Sequence, residues 1–241
     1  MSPMNYPSIA DEFWRNGYVV ISDFFEPALM DELHELILAR FRGPTTTCLT
    51  DEFATLAKTE IIPWFPQREG VSRFDVIDDN PALAAVTAAI LGDGWHSQYC
   101  MVMYSAQGSN GQAWHQDCPP EAKEDYNLNR LVYTRDIVDE IGGQLVLVPR
   151  THTGGALPAG EPHGDLPGQI ILYPKKGMLV LIHGHCWHRV LPVKGEYRVS
   201  TNYRAAPAGT PDDVTDLCVY RNMRYQFSTK RVVEDRTVTG K

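Results

Sequence analysis

Between Gly94 and residue 205 the chain consists of short β-type runs, each cut off by Gly or Pro, and that rhythm leaves few folds open. Strands are predicted near Ser97–Ser105, Gln112–Asp117, Arg130–Thr134, Gln144–Val148, Gln169–Tyr173, Met178–His183 and Tyr197–Tyr203. Closely spaced strands with turn signals between them predict a sandwich or barrel, not alternating βαβ units. Helix signals lie outside this stretch. Ser8–Asn16 is a short polar–apolar segment stopped by Gly17 and followed by the strand-like Tyr18–Ile21. Pro27 suits a first helical position, Leu29, Leu33, Leu36, Ile37 and Phe41 recur at helical spacing, and Gly43-Pro44 ends the run. Asn80 as N-cap, Pro81 at N1, the stripe Leu83, Val86, Ile90, Leu91 and the stop at Gly92 predict another helix. Pro211 after Thr210 predicts a C-terminal helix to about Phe227, with the last dozen residues as a solvated tail. The fold class expected is therefore mainly β with flanking helices. Neither a repeat nor a linker divides the chain, so one domain is expected over 1–241, with helical support over about 8–92, a β core over about 95–205 and a C-terminal helix and tail over 206–241.

Composition narrows the partners. With 22 Lys+Arg against 30 Asp+Glu, the net charge of −8 argues against nucleic acid and against a polybasic membrane surface. A hydrophobic share of 43% is too high for a disordered chain, and no apolar run is long enough to span a bilayer. The opening MSPMNYPSIADEFW has no apolar signal core. Five widely spaced cysteines without a C-x-x-C fit reduced thiols rather than a disulfide framework. The expectation is a cytoplasmic monomer or homodimer whose partner is a small molecule.

The chemistry starts at Trp114-His115-Gln116-Asp117. On a strand, side chains two apart share a face, so His115 and Asp117 reach one point together. Two imidazoles and one carboxylate form the facial triad that holds Fe(II) and leaves positions open. Alone the pair is a weak signal. The segment Gly177–His188 strengthens it: a buried-looking strand runs out into His183, His185 and His188, any of which could complete the triad. His188 is preferred for its Trp-His context and its distance to Arg198; His185 comes second, and His183 and His185 otherwise border the substrate cavity. Arg198 and Ser200 share a face by the same period-two rule, and a guanidinium beside a hydroxyl suits a carboxylate of 2-oxoglutarate.

These residues resemble the phytanoyl-CoA dioxygenase family of Fe(II)/2-oxoglutarate oxygenases from about residue 10 to 205. Asp11–Phe25 is similar to that family's N-terminal helix–strand signature, and Trp114–Asp117 to its proximal metal motif. Gly142–His152 resembles its Gly-x-Leu…Pro-Gly-Ser-His turn, with Arg150 and Thr151 in place of Gly-Ser. Trp187–Pro192 followed by Arg198 resembles the distal metal histidine and the 2-oxoglutarate arginine. The resemblance implies a double-stranded β-helix (jelly-roll) core. It implies Fe(II), 2-oxoglutarate and O2, and oxidation of a small molecule at an unactivated C–H, by hydroxylation or a related outcome, with release of succinate and CO2. Related halogenases carry Gly or Ala at the carboxylate position, so Asp117 disfavours halogenation. A 2-oxoglutarate-independent cupin-like metal enzyme and a non-catalytic jelly-roll module stand as alternatives.

Further residues are expected around the metal. Tyr133 or Thr134 would donate a hydrogen bond to 2-oxoglutarate. Tyr104, Trp114, Trp64, Arg68 and Arg135 would line the substrate side, with the Pro-broken stretch 61–68 as a lid or wall, and Arg150 offers another cation. His152 is expected to be structural, and His34, His96 and His163 to lie on the surface.

Overall fold

The computed structural model describes residues 4–42, 61–222 and 224–226. Cys48, the Gly43-Pro44 stop and the C-terminal tail lie outside the described residues.

The helices form where their ends are capped. In α1 (Tyr6–Asn16) the Asn5 side chain accepts the Ser8 amide, and Gly17, at φ 79°, returns its N–H to Phe13. A Cβ at Gly17 would also lie 2.5 Å from His152 Nδ1, so two constraints favour glycine there. After β1 (Tyr18–Ile21) comes α2 (Pro27–Arg42), then the edge strand β2 (Ile62–Trp64), a 3₁₀ turn at Pro66–Glu69 and the short α3 (Asp75–Asp78). In α4 (Pro81–Leu91) the Asn80 Oδ1 accepts from Ala82 and Leu83 at 2.9 and 3.1 Å, as its sequence predicts.

The remaining strands are β3 (His96–Ala106), β4 (Gln112–Gln116), β5 (Leu128–Val132), β6 (Leu145–Leu147), β7 (Ile170–Leu172), β8 (Leu179–His183), β9 (His188–Val190), β10 (Tyr197–Ala206), β11 (Leu217–Tyr220) and β12 (Arg224–Gln226). They build two six-stranded antiparallel sheets, ordered β1-β8-β5-β10-β3-β2 and β12-β11-β4-β9-β6-β7. This is the mainly-β jelly roll expected, and all seven predicted strands are present.

One expectation fails. Among the described residues of 211–226 there is no helix: β11 and β12 pair antiparallel and extend the second sheet, with Val219 and Tyr220 paired to Gln116 and His115. Leu-Cys-Val-Tyr is a β-type run, and its pairing with β4 outweighs the helix-start signal of Pro211.

Alternation along the first sheet sorts its residues into two cores. Cys100, Val102, Val132, Leu179, Leu181 and Val199 face outward against Phe13, Met30, Leu33, Ile37, Leu83 and Ile90 of the helices. Tyr99, Met101, Met103, Leu131, Tyr133, Val180 and Ile182 face inward and meet Leu145 and Leu147 of the second sheet. Burial of each large apolar side chain in these layers contributes about 1.5–3 kcal/mol. The inter-sheet space is where the polar residues of interest converge.

Candidate metal centre

His115 lies next to the end of β4 and His188 starts β9, and the two are directly opposed in the antiparallel register. Their rings lie 4.1 Å apart between centroids. Asp117, one residue past β4, is anchored by its amide on the Gly184 carbonyl at 2.8 Å. One ligand atom from each of these three buried residues lies within 4.8 Å of the other two, an arrangement able to hold a metal ion.

The hydrogen bonds set the imidazoles up as ligands. His115 Nδ1 donates to the Ala113 carbonyl at 2.7 Å, and His188 Nδ1 to the Cys186 carbonyl at 2.8 Å. A carbonyl only accepts, so Nδ1 of each ring carries a proton and Nε2 is the atom turned toward Asp117 as a ligand. Those Nε2 atoms approach the carboxylate, His115 at 3.8 Å from Asp117 Oδ1 and His188 at 3.4 Å from Oδ2. Burial, then the neighbouring His188, lowers the His115 pKa to about 4, which keeps the ring neutral near pH 7. Burial pushes Asp117 upward, but the Arg204 guanidinium and the two histidines outweigh it and hold the carboxyl well below its usual range. The three groups therefore present two imidazole nitrogens and one anionic oxygen donor, the set that suits a divalent transition metal.

Three contributors were not anticipated. Arg204 Nη2 lies 2.8 Å from Asp117 Oδ1, and Asn129 Nδ2 donates to Oδ2 at 2.6 Å. Asn129 is itself held by Asn202 at 2.7 Å and Asn127 at 3.1 Å. Tyr220, in the segment expected to be helical, stacks on His115 at 5.1 Å. Arg204 was within reach of sequence reasoning, since it continues the period-two face of Arg198 and Ser200.

On the facing sheet, Arg198 is buried, donating Nε to the Gly143 carbonyl at 2.7 Å and Nη1 to Ser200 Oγ at 2.9 Å. Tyr133 is buried beside it, and its hydroxyl interacts with the guanidinium. The structure thus brings Arg198, Ser200 and Tyr133 together as a donor-rich cluster suited to a carboxylate.

Several other expected residues are elsewhere, most of them because they sit on the wrong strand face. Thr134 follows Tyr133 and points to the helices, where His34 Nδ1 meets its Oγ1 at 2.9 Å. That contact also corrects His34, which is half-buried rather than on the surface. Tyr104 is stacked on Phe41 and Tyr197 in the outer layer, and Arg135 covers the Tyr197 ring at 4.5 Å. Trp64 packs in the same outer layer against Phe74. Trp114 precedes His115 and faces away from it, packing with Val146, Leu157 and Leu166 and donating to the Gly164 carbonyl at 2.7 Å. His183 and His185 form a separate cluster with His152, Tyr126 and Trp14. His185 therefore does not replace His188 in the three-residue group. Of the substrate-side set only Arg68 stays near the inner face, over Phe65 at 4.6 Å and Tyr99 at 5.7 Å.

Among the described residues no helix is long and apolar enough to cross a membrane. Among solved structures, HygX from Streptomyces hygroscopicus with nickel and 2-oxoglutarate bound aligns with a TM-score of 0.67 at 11% identity, covering 86% of this chain and 88% of that one. The non-haem α-ketoglutarate-dependent epimerase SnoN from nogalamycin biosynthesis aligns at 0.61 and 15% identity, covering 98% and 93%. The non-haem monooxygenase ThoJ aligns at 0.62 and 16% identity, covering 95% and 88%. At these identities the likeness is one of fold. No curated protein matches the chain in sequence. The phytanoyl-CoA dioxygenase family model matches residues 13–197, most of the chain including His115, Asp117 and His188, and the chain belongs to that family.

Proposed function

We propose that the chain is a non-haem iron, 2-oxoglutarate-dependent oxygenase that oxidises a C–H bond of a small molecule, by hydroxylation, with release of succinate and CO2. The observation that carries this reading is the convergence of His115, Asp117 and His188 on one side of the inter-sheet space with the buried Arg198–Ser200–Tyr133 cluster in the other sheet. Iron with 2-oxoglutarate and O2 would supply the oxidising power. Each protein group has a defined task. The two Nε2 atoms and one Asp117 oxygen would hold the metal ion. Arg198 would hold the far carboxylate of 2-oxoglutarate as a two-pronged donor, with the Tyr133 hydroxyl beside the guanidinium. Gly143 orients the guanidinium by accepting its Nε.

A small-molecule substrate is supported by HygX and SnoN, whose structures hold hygromycin B and nogalamycin RO. Phe65 and Tyr99, in edge contact at 5.6 Å, with Arg68 above them, would form the substrate wall. The test is succinate release from 2-oxoglutarate across a panel of small molecules, with Asp117→Ala and Arg198→Ala as controls. Substrate-stimulated succinate release that both variants lose is the expected result. Turnover without 2-oxoglutarate would instead place the chain among cupin-like metal enzymes.

A further inference from the structure

Arg204 is a buried cation at contact distance from a carboxylate read as a metal ligand, and the mechanism above does not use it. It lies on the inner face of β10, directly opposite Tyr99 of β3, with its guanidinium 5.6 Å from that ring. Its Nη2 takes Asp117 Oδ1 while Asn129 takes Oδ2, so both carboxylate oxygens are engaged. Its own Nε has no partner.

Charge decides what such a residue does. Among the described residues, the buried charged side chains on this inner face are Asp117, Arg198 and Arg204. Arg130, Arg189 and Arg221 are buried too, but the first two pair with Asp78 and Asp165 on the outer sides of the sheets and Arg221 donates to the carbonyls of Pro158, Ala159 and Glu161. A ligand carboxylate ordinarily attracts a divalent cation by its negative charge. Here a guanidinium offsets that charge at 2.8 Å. The same guanidinium attracts a dianion placed beside the metal, and in a poorly solvated space both effects are strong.

We propose that Arg204 is a positioning residue that couples metal binding to keto-acid binding: it weakens the hold of the Asp117 site on a divalent ion alone and strengthens it once 2-oxoglutarate is present. This rests on the reading of the site as a metal and 2-oxoglutarate centre. Linkage makes the effect reciprocal, so the metal raises 2-oxoglutarate affinity by the same factor.

The experiment is an anaerobic Co(II) titration of the full chain, with and without saturating 2-oxoglutarate, followed by the visible bands of the bound ion. The quantity read is the ratio of the two dissociation constants. Arg204→Gln keeps a donor toward Asp117 and removes the charge; Arg204→Lys keeps the charge. The ratio is expected to fall about tenfold in Arg204→Gln relative to wild type and to be largely retained in Arg204→Lys. Arg204→Met serves as the second neutral variant if the Gln protein does not fold. A ratio in the neutral variant within about twofold of wild type overturns the inference, as does loss of Co(II) binding under both conditions, which would leave Arg204 only a steric role. A wild-type protein that binds no Co(II), or whose Co(II) affinity ignores 2-oxoglutarate, overturns the underlying reading instead, and is recognised without any variant.

Discussion

Gly143 and Arg198 fit together as a backbone slot and the side chain that fills it. The Gly143 carbonyl accepts Arg198 Nε at 2.7 Å, and a Cβ at Gly143 would stand 2.3 Å from Arg198 Cδ. The glycine also has φ 68°, a left-handed conformation that other residues adopt at a cost. Gly143→Ala should therefore displace the guanidinium and weaken 2-oxoglutarate binding by about tenfold or more, while Co(II) affinity without 2-oxoglutarate changes little. Calorimetric titration of both ligands checks this; unchanged 2-oxoglutarate affinity would show that Arg198 does not hold the keto acid.

Arg150 occupies a left-handed position, φ 68°, at the turn where the family pattern carries Gly-Ser. Its side chain is exposed, and its amide N–H bonds the Asn16 carbonyl at 2.7 Å. Arg150→Gly keeps that bond and removes the strain, so a stabilisation of about 1 kcal/mol is expected, read as a rise in denaturation midpoint. A lower midpoint would mean that the arginine side chain makes a compensating contribution.

Tyr220 ties the C-terminal hairpin to the candidate metal centre through its stacking on His115. Tyr220→Ala removes one wall of the imidazole's cage. Co(II) affinity should drop by about tenfold, the size typical of residues that orient a metal ligand. An unchanged affinity would make the hairpin a bystander.

The cluster around His183 predicts acid sensitivity. Its ring stacks on Tyr126 at 4.3 Å and lies 5.3 Å from His152 and 5.1 Å from His185. His183 Nδ1 accepts the His185 amide at 3.1 Å, which requires that nitrogen to be unprotonated. Burial first, then His185 and His152, holds the His183 pKa well below 6.5. The unfolded chain takes up a proton near pH 6.5 that the folded chain refuses, so this stability is complete above about pH 6.5 and is lost as pH falls. His152, His185 and His115 are shifted the same way. The melting temperature of the metal-free protein should drop by about 3–6 °C from pH 7.5 to 5, and His183→Gln should flatten part of that slope. A flat profile for wild type contradicts this account.

The strands are legible because each is a short β-type run bounded by Gly or Pro, and His115 with Asp117 because period two places both on one face. Their pairing with His188 depends on the β4–β9 register, which no local pattern carries; the Trp-His context and the family resemblance pointed to it. The misplaced residues share one physical cause. Trp114, Thr134 and Tyr104 belong to strands that flank the metal and Trp64 to the Pro-broken stretch expected as a wall, yet strand alternation turns each to the face opposite the ligands. β9 is only three residues long, too short for its own signal, and the β11–β12 hairpin lay behind the helix-start signal of Pro211. Arg204 and Asn129 matter through contacts with Asp117 that only the folded sheets bring about.

The central claim is that His115, Asp117 and His188 bind iron and Arg198 brings 2-oxoglutarate onto it. Anaerobic addition of Fe(II) and 2-oxoglutarate, followed by visible absorption, tests it most directly. The account predicts a metal-to-ligand charge-transfer band in wild type that is absent in Asp117→Ala and requires much more 2-oxoglutarate in Arg198→Ala. No band in the folded wild-type protein, or a band that both variants retain at wild-type ligand concentrations, would contradict it.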